Sequence, residues 1–450
     1  MGKIALNNKD NRAQARIFYF IFYFIVILGL FQGILYAFNF GVEIDQKQLL
    51  SKGIKLAFLG EWVHYGNRVS GGGHVPGSLS TLLVGVPLLI YDSYISPLLL
   101  ISALQLAGLF LLIAVLKEKF TQSQILIFCI LYWLNPWRVV NSHLWNPSYL
   151  IFPAALHLYS YMRLLRQERS FLWSFVHVLT IGFALQLHAS AIILALISIL
   201  LFWRKKMKVN VWGVVFSSVV ILISLIPFYL EAQKNEAIII PLISGHSELN
   251  SVVDYLNHGL RRAHIFLKGL SYWARYSSFW FPQNFYGFNR FDFSYLFDSE
   301  TLSTAIKYTF VFIRYVLGAG SLILSFWGFG WIVRRLWRCR LALDPLDNYV
   351  LVTIIAIVIS LSLNPATNTH SWHIFVAYPI VQIAFCQFLF SKFENWAPSL
   401  WVKRAFTGIA LYFIVYNIAN TYASLLGHSH DERAFIQYSK YKDSLMGGSD

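Results

Sequence analysis

The sequence predicts an all-α, polytopic transmembrane protein with about eleven spans, within a range of about 10 to 13. Hydrophobic residues make up 57% of the chain and charged residues 13%, and the mean hydropathy is +0.55, far from the balance of a soluble domain. Apolar runs of roughly 17 to 25 residues recur along the chain, each long enough for a helix to cross a hydrocarbon core of about 30 Å. The short alternating segments of a transmembrane barrel are absent from the sequence.

The predicted spans cover residues 17–39, 97–117, 123–139, 146–163, 171–187, 189–203, 211–230, 308–333, 348–364, 373–390 and 403–425. The first run is too long for a signal-peptide core, so we interpret it as a retained helix. If the spans alternate in direction, the basic clusters all fall on one side, which the positive-inside rule assigns to the cytoplasm together with the N-terminus. These clusters are Lys3 with Arg16, Lys117 with Lys119, Arg163 with Arg166 and Arg169, residues 204–208, residues 334–340, and Lys392 with Lys403.

Two long segments then lie on the opposite, outer face. They are residues 41–96 and residues 231–307, and we expect interfacial helices in both, within a single transmembrane domain over residues 1–450. Residues 78–91 form an apolar stretch of only 14 residues that contains Pro87, so we predict an interfacial or re-entrant segment. Because the other outer loops are short, the chemistry is expected at this face.

Composition also excludes some functions. The formal charge is +15, but the basic residues lie in short clusters between apolar runs, and membrane topology explains that placement better than nucleic-acid binding. The three cysteines, Cys129, Cys339 and Cys386, form neither a disulfide framework nor a metal motif. The segment from Gly427 to the C-terminus is predicted to be a poorly packed tail outside the membrane.

Two carboxylates follow the first predicted span at the membrane surface. Glu43 and Asp45 are two positions apart, so on either a helix or a strand they point to different sides, and only one is expected to face a given pocket. The alternative is an ordinary loop that caps a helix over residues 46–59.

The layout around these carboxylates resembles the GT-C glycosyltransferases. After the acidic pair come an amphipathic segment with Gly-Glu-Trp at residues 60–62 and a turn with Gly-Gly-Gly-His-Val-Pro-Gly at residues 71–77. Further similarities are Leu-Trp-Asn-Pro-Ser at residues 144–148, Leu-Gln-Leu-His-Ala-Ser at residues 185–190, and the approach to a late helix at residues 373–379. The chain is most similar to the branch with the aminoarabinose transferase of lipid A and the protein O-mannosyltransferases (glycosyltransferase family 39).

The resemblance implies roles for particular residues. The catalytic aspartate of the family falls on Asp45, where the family often continues with Glu and this chain has Gln46, with Glu43 two residues earlier. The resemblance therefore leaves open which of the two carboxylates, Glu43 or Asp45, has which role. The family's second element falls around residues 74–77, where His74 is a candidate for binding phosphate or acceptor, without a neighbouring carboxylate.

The activity implied is transfer of a hexosyl or pentosyl group from a polyprenyl-phosphate sugar to a lipid, glycan or protein acceptor. Asp45 would act as the general base, a role that typically contributes about 10²- to 10⁴-fold, and attack in one displacement would invert the anomeric centre. Cations would stabilise the departing phosphate. The candidate binding residues are His74, Arg138, His188, Arg261, Arg262, His264, Lys268, Arg275, His370 and His373.

Plainer interpretations of these residues stay open. A basic outer segment is often a solvated or headgroup-facing surface, and His188 could cap a helical hairpin. Arg314, inside a predicted span, is expected to face a partner or cavity or to extend to the interface. The aromatic residues between Tyr272 and Phe293 are expected to lie on the membrane surface or to cover the site.

Two other functions remain as alternatives. A transporter or lipid flippase would concentrate its polar residues at mid-membrane, and an undecaprenyl-diphosphate-dependent ligase or polymerase would also have many helices. A divalent metal is compatible with the two carboxylates, but no spacing requires a metal or other cofactor. We expect a bacterial inner-membrane location with a periplasmic site, and no nucleic-acid partner.

Overall fold

A computed structural model describes residues 2–69, 73–235, 238, 252–278, 300–339, 343–363, 370–393, 400–427, 431 and 433–446. Within these ranges the protein is almost entirely helical, as predicted. The helices are α1 (Gly2–Asn39), α2 (Ile44–Ile54), α3 (Leu79–Ile90), α4 (Ile95–Leu116), α5 (Gln122–Trp133), α6 (Pro136–Val140), α7 (Ile151–Arg166), α8 (Phe171–Leu185), α9 (Ile192–Trp203), α10 (Val211–Lys234), α11 (Val252–Ser277), α12 (Glu300–Arg338), α13 (Pro345–Leu363), α14 (Tyr378–Phe393), α15 (Leu400–Gly427) and α16 (Ala434–Met446).

Six stretches in the described part of the chain are long and apolar enough to cross a membrane. They are Ala15–Asn39, Ile95–Leu116, Val211–Lys234, Tyr315–Arg338, Pro345–Leu363 and Phe375–Lys392. This is an integral membrane protein. Each of the eleven predicted spans coincides with a helical segment, but several of those helices are short, including Gln122–Trp133 and Phe171–Leu185. The number of crossings therefore stays a prediction.

The span predicted over residues 123–139 is not one continuous helix. α5 ends at Trp133 and α6 starts at Pro136, because proline lacks the N–H that a continuing helix needs. The side chain of Asn135 accepts a hydrogen bond from the Trp137 N–H over 2.9 Å, which caps the new helix. The prediction of a single helix there was wrong.

The first outer segment folds into a compact unit on the end of α1. α2 is followed by a single wide turn over Lys55–Leu59 that ends at Gly60 in the left-handed region. A two-stranded antiparallel hairpin follows, formed by β1 (Tyr65–Arg68) and β2 (His74–Pro76). α3 then packs against α2 and contains Pro87. The predicted helix after the acidic pair is therefore present, from Ile44.

The C-terminal segment is not a poorly packed tail, and that prediction was wrong. Arg433 forms an isolated β-bridge with Gly41, and the rings of Phe38 and Phe435 stack at 4.7 Å. In α16, Tyr438 and Lys442 both bond to Asp92. The apolar face of α16 forms these contacts. The prediction failed because the sequence of this segment is rich in charged residues, which suggested an unpacked tail. Since residues 41 and 433 lie together, the chain between them crosses the membrane an even number of times, a condition that the ten predicted intervening spans satisfy.

Candidate active site

The two carboxylates after α1 have different environments. Glu43 is the N-cap of α2, and its N–H donates to Oε1 of Gln46 over 3.1 Å. Its carboxylate is exposed, but partial desolvation and the nearby charge of Asp45 raise the pKa of Glu43. Asp45 lies in the first turn of α2 and accepts a hydrogen bond at Oδ2 from Nε1 of Trp145 over 3.0 Å. Asp45 therefore has a side-chain partner from a distant segment, whereas the Gln46 contact of Glu43 is made by its backbone N–H.

A buried lysine accompanies Asp45 on the same helix. Lys52 is only 7% exposed, and its ammonium group donates to Oδ1 of Asn67 over 3.3 Å and lies 5.3 Å from the centre of the Tyr65 ring. Burial lowers the pKa of Lys52 to about 7, although the charge of Asp45 acts in the opposite direction. Close to neutral pH this lysine is thus poised between its charged and neutral forms.

The hairpin fixes the position of this pair. Asn67 is buried and donates from Nδ2 to the backbone oxygen of Asp45 over 3.0 Å, while its Oδ1 accepts from Lys52. His74 packs edge-on against Tyr65 and donates from Nδ1 to the Gly66 carbonyl over 3.0 Å. Burial lowers the pKa of His74, and the charges of Lys52 and Arg68 lower it further. His74 is therefore a neutral neighbour of Lys52.

The turn after the hairpin approaches the end of α8 closely. Gly77 has a φ of +94°, and a Cβ atom at this position would lie 2.2 Å from Oε1 of Gln186. Glycine is required both for the backbone conformation and for the contact. This contact brings the first outer segment beside His188, whose Nδ1 is hydrogen bonded to Ser190 over 2.8 Å.

An aromatic chain connects Asp45 to a second group of predicted residues. Trp145 packs edge-on against Trp372 with ring centres 5.4 Å apart, and His370 stacks on Trp372 at 4.2 Å. The His370 N–H donates to Nδ1 of His373 over 2.9 Å. Residues from the loop after α6 and from the turn before α14 thus meet on the Asp45 side of the protein.

Lys268 of α11 adds a positive charge to this group. Burial lowers the pKa of His370, and the charge of Lys268 lowers it further. The pKa of His188 is lowered to about 3 by burial and by the neighbouring His373. Four of the predicted binding residues, His188, Lys268, His370 and His373, are therefore close enough to interact electrostatically.

The remaining predicted residues are placed differently. Arg138 is 1% exposed and donates to the backbone carbonyls of Gly29 over 2.6 Å and Trp133 over 2.8 Å. Arg275 lies 5.0 Å from the centre of the Tyr272 ring. His264 is exposed on α11. The side chains of Arg261, Arg262 and Arg314, the three residues 70–72, and the aromatic residues 279–293 lie outside the described parts of the structure.

Sequence reasoning missed three residues of the site: Lys52, Asn67 and Trp372. Lys52 carried a usable signal, because it follows Asp45 by seven positions and therefore lies on the same face of a helix. Asn67 and Trp372 carried no such signal, since their contacts depend on the hairpin and on the turn before α14. Among the described residues, no group of three or more His, Cys, Asp or Glu side chains could hold a metal ion.

Comparison with known proteins identifies the fold of this chain. No family model and no curated protein sequence matches the chain. Among solved structures, ArnT from Cupriavidus metallidurans in the apo state has a TM-score of 0.50 and 14% identity, covering 97% of this chain and 77% of that chain. This chain has a GT-C fold.

Two further structures are similar to this chain at lower TM-scores. The same ArnT bound to undecaprenyl phosphate has a TM-score of 0.49 with 14% identity, covering 94% of this chain and 77% of that chain. An oligosaccharyltransferase from Archaeoglobus fulgidus, in complex with Zn and sulfate, has a TM-score of 0.47 with 12% identity, covering 90% of this chain and 54% of that chain.

Proposed function

We propose that this protein is a membrane glycosyltransferase that transfers a sugar from a polyprenyl-phosphate donor to an acceptor on the outer face, with Asp45 as the general base. The GT-C fold and the motifs around Asp45 support this class of reaction. The observation that carries the proposal is that a carboxylate held by Trp145 and a buried lysine held by Asn67 lie on the same helix at the exit of the first span. A base and a cation for the leaving phosphate are the two groups that this reaction needs.

The reaction is a single displacement. The acceptor hydroxyl transfers its proton to the Asp45 carboxylate while its oxygen forms a bond to the anomeric carbon. The bond from that carbon to the phosphate oxygen breaks, and the polyprenyl phosphate leaves with the electron pair. The configuration at the anomeric carbon is inverted.

Lys52 is the first candidate for stabilising the leaving phosphate. With a pKa lowered to about 7, it is partly neutral near neutral pH, and an adjacent phosphate would favour its charged form. The positive charge on Lys52 would then be greatest when the polyprenyl phosphate leaves the anomeric carbon. Asn67 holds the lysine side chain through a hydrogen bond of 3.3 Å, so little reorganisation is required.

Lys268, His370 and His373 form a second candidate surface for the phosphosugar. They are joined to Asp45 through Trp145 and Trp372. An ammonium group beside neutral imidazoles can bind a phosphate through its charge and through hydrogen bonds. It does not require the fixed bidentate geometry of a guanidinium group. ArnT of Cupriavidus metallidurans has been captured with undecaprenyl phosphate, and a donor lipid of that chemical class is proposed for this chain.

The experiment is a donor panel with purified full-length protein and a membrane extract as acceptor. We expect release of free polyprenyl phosphate from at least one polyprenyl-phosphate sugar, and a donor KM that rises about tenfold or more in Lys52→Met. Lys47→Met, an exposed lysine on the same helix, is the matched control and should leave the KM unchanged. Absence of release with every donor would contradict the proposal and favour a transporter.

A further inference from the structure

A polar cavity lies at the end of the protein opposite Asp45. Phe22 of α1 packs against Phe110 of α4 with ring centres 6.3 Å apart, so the end of α4 points towards the beginning of α1, whereas Asp45 follows the end of α1. The cavity lies just beyond α4, where the last turns of α12 and α14 and the first turn of α13 also meet. Because three of these elements are candidate spans that end here and one begins here, the cavity lies at the level of lipid headgroups.

Two cationic side chains and several hydrogen-bond donors line this cavity. It has a volume of about 170 Å³ and is lined by Lys119 and Arg335, by the side chains of Gln124, Gln387 and Ser391, and by two phenylalanine rings. Among the residues that the structure describes, no carboxylate lines it. A volume of this size accommodates a phosphate group together with one or more waters.

The two cations are held by carboxylates that lie outside the lining. Lys119 is paired with Asp344 at 2.5 Å and Arg335 with Asp347 at 2.6 Å, and Gln387 donates to the other oxygen of Asp347 over 3.1 Å. An ammonium has three N–H donors and a guanidinium five, so one carboxylate contact leaves each cation able to donate further. The ion pairs thus fix the positions of both cations at the cavity wall.

The surrounding surface increases the positive potential. Lys117, Arg334, Arg338 and Lys392 are exposed near the same helix ends. Basic clusters next to the ends of spans attract anionic headgroups. This potential would concentrate a phosphate-bearing anion at the cavity entrance.

We propose that this cavity binds the phosphate group of an anionic ligand, held between Lys119 and Arg335, on the side of the membrane opposite the glycosyltransferase site. The proposal is independent of Asp45 and of the proposed reaction. The same phosphate chemistry is present in an anionic phospholipid and in a soluble phosphate compound, and the test distinguishes these two sources.

The test titrates purified full-length protein in detergent with short-chain phosphatidylglycerol, with phosphatidylcholine of the same chain length, or with inorganic phosphate, and follows the shift in melting temperature. We expect stabilisation by phosphatidylglycerol but not by phosphatidylcholine, with the dissociation constant raised about tenfold or more in Lys119→Gln and Arg335→Gln. Because those variants also leave a carboxylate unpaired, Ser391→Trp is the decisive variant, since it fills the cavity and keeps both ion pairs.

The controls are Lys117→Gln and Arg334→Gln, which remove charge from the same surface but do not line the cavity. Stabilisation by inorganic phosphate with the same dependence on Ser391 would support the site and assign a soluble ligand. The proposal would be overturned if neither phosphatidylglycerol nor inorganic phosphate stabilised the protein. It would also be overturned if phosphatidylcholine stabilised the protein as much as phosphatidylglycerol, if Ser391→Trp kept the full stabilisation, or if the two control variants lost as much stabilisation as the variants of the cavity.

Discussion

Nε1 of Trp145 donates a hydrogen bond to Oδ2 of Asp45 over 3.0 Å, across a sequence separation of 100 residues. This bond joins the exit of the first span to the loop after α6, and it fixes one oxygen of the carboxylate while leaving the other oxygen for a reacting hydroxyl. The edge of Trp372 packs on Trp145 and limits its movement. The position of the proposed base is therefore determined by tertiary contacts as well as by its helix.

Trp145→Phe tests this positioning. The substitution keeps an aromatic ring but removes the indole N–H, and a hydrogen bond to a charged group is worth about 1.5–3 kcal/mol. We expect kcat to fall about 10- to 100-fold, with a smaller change in the donor KM. Trp212→Phe, at an exposed tryptophan on α10, should have wild-type kinetics. An unchanged kcat in Trp145→Phe would show that the bond does not position the base.

Lys52 predicts a pH dependence of stability. Its folded-state pKa is about 7, below the usual value near 10.4, so between these pH values the unfolded chain binds the additional proton. The free energy of unfolding therefore rises with pH over this window, by up to about 1.4 kcal/mol for each pH unit from this group. Apparent melting temperatures between pH 7 and pH 10 should rise less in Lys52→Met than in the wild type, while Lys47→Met keeps the wild-type slope. Identical slopes in all three proteins would show that the pKa of Lys52 is not lowered in the folded state.

Arg138→Gln separates a structural role from substrate binding. The guanidinium donates to carbonyls of α1 and α5 and lies 4.2 Å from the centre of the Trp133 ring. A hydrogen bond to a charged group contributes about 1.5–3 kcal/mol, and this substitution removes two of them, so we expect a large decrease in melting temperature and in yield of folded protein. The exposed Arg334→Gln is the comparison. A stable Arg138→Gln protein with a raised donor KM would instead support phosphate binding by this residue.

Ala434→Asp tests the docking of α16. Ala434 is fully buried at the start of this helix, and its N–H donates to the Phe40 carbonyl over 3.2 Å. A carboxylate there cannot be accommodated without desolvation, so the helix should detach and a C-terminal tag should be removed by protease at least about tenfold faster. Ser444→Asp, on the exposed side of α16, should leave the cleavage rate unchanged. Equal cleavage rates would mean that α16 does not depend on this contact.

The sequence was sufficient for the helical membrane class because long apolar runs have one physical explanation, and the GT-C layout was recognisable from short motifs. The separation of Glu43 and Asp45 followed from their spacing. The break at Asn135 and Pro136 could have been predicted from the sequence, since a proline after a capping residue is typical of the start of a helix. It was missed because the apolar run continued through it.

Contacts between distant segments could not be predicted in the same way. Asn67 binds both Asp45 and Lys52 only because the hairpin folds back over α2, and no local pattern encodes that register. The docking of α16 was missed because its sequence is rich in polar residues, and its buried face is formed by contacts with α1 and α2 that exist only in the folded protein. Arg138 was identified as a binding residue from its position near a helix end, which does not reveal the direction of its side chain.

The most direct measurement compares Asp45→Asn with Glu43→Gln in single-turnover release of polyprenyl phosphate, after both variants have been shown to have wild-type melting temperatures. Both substitutions remove one carboxylate from the same turn and keep its shape. We predict that Asp45→Asn lowers the rate by about 100-fold or more, whereas Glu43→Gln lowers it by less than about tenfold. A rate in Asp45→Asn close to that of the wild type, or a greater loss in Glu43→Gln, would contradict the assignment of Asp45 as the base.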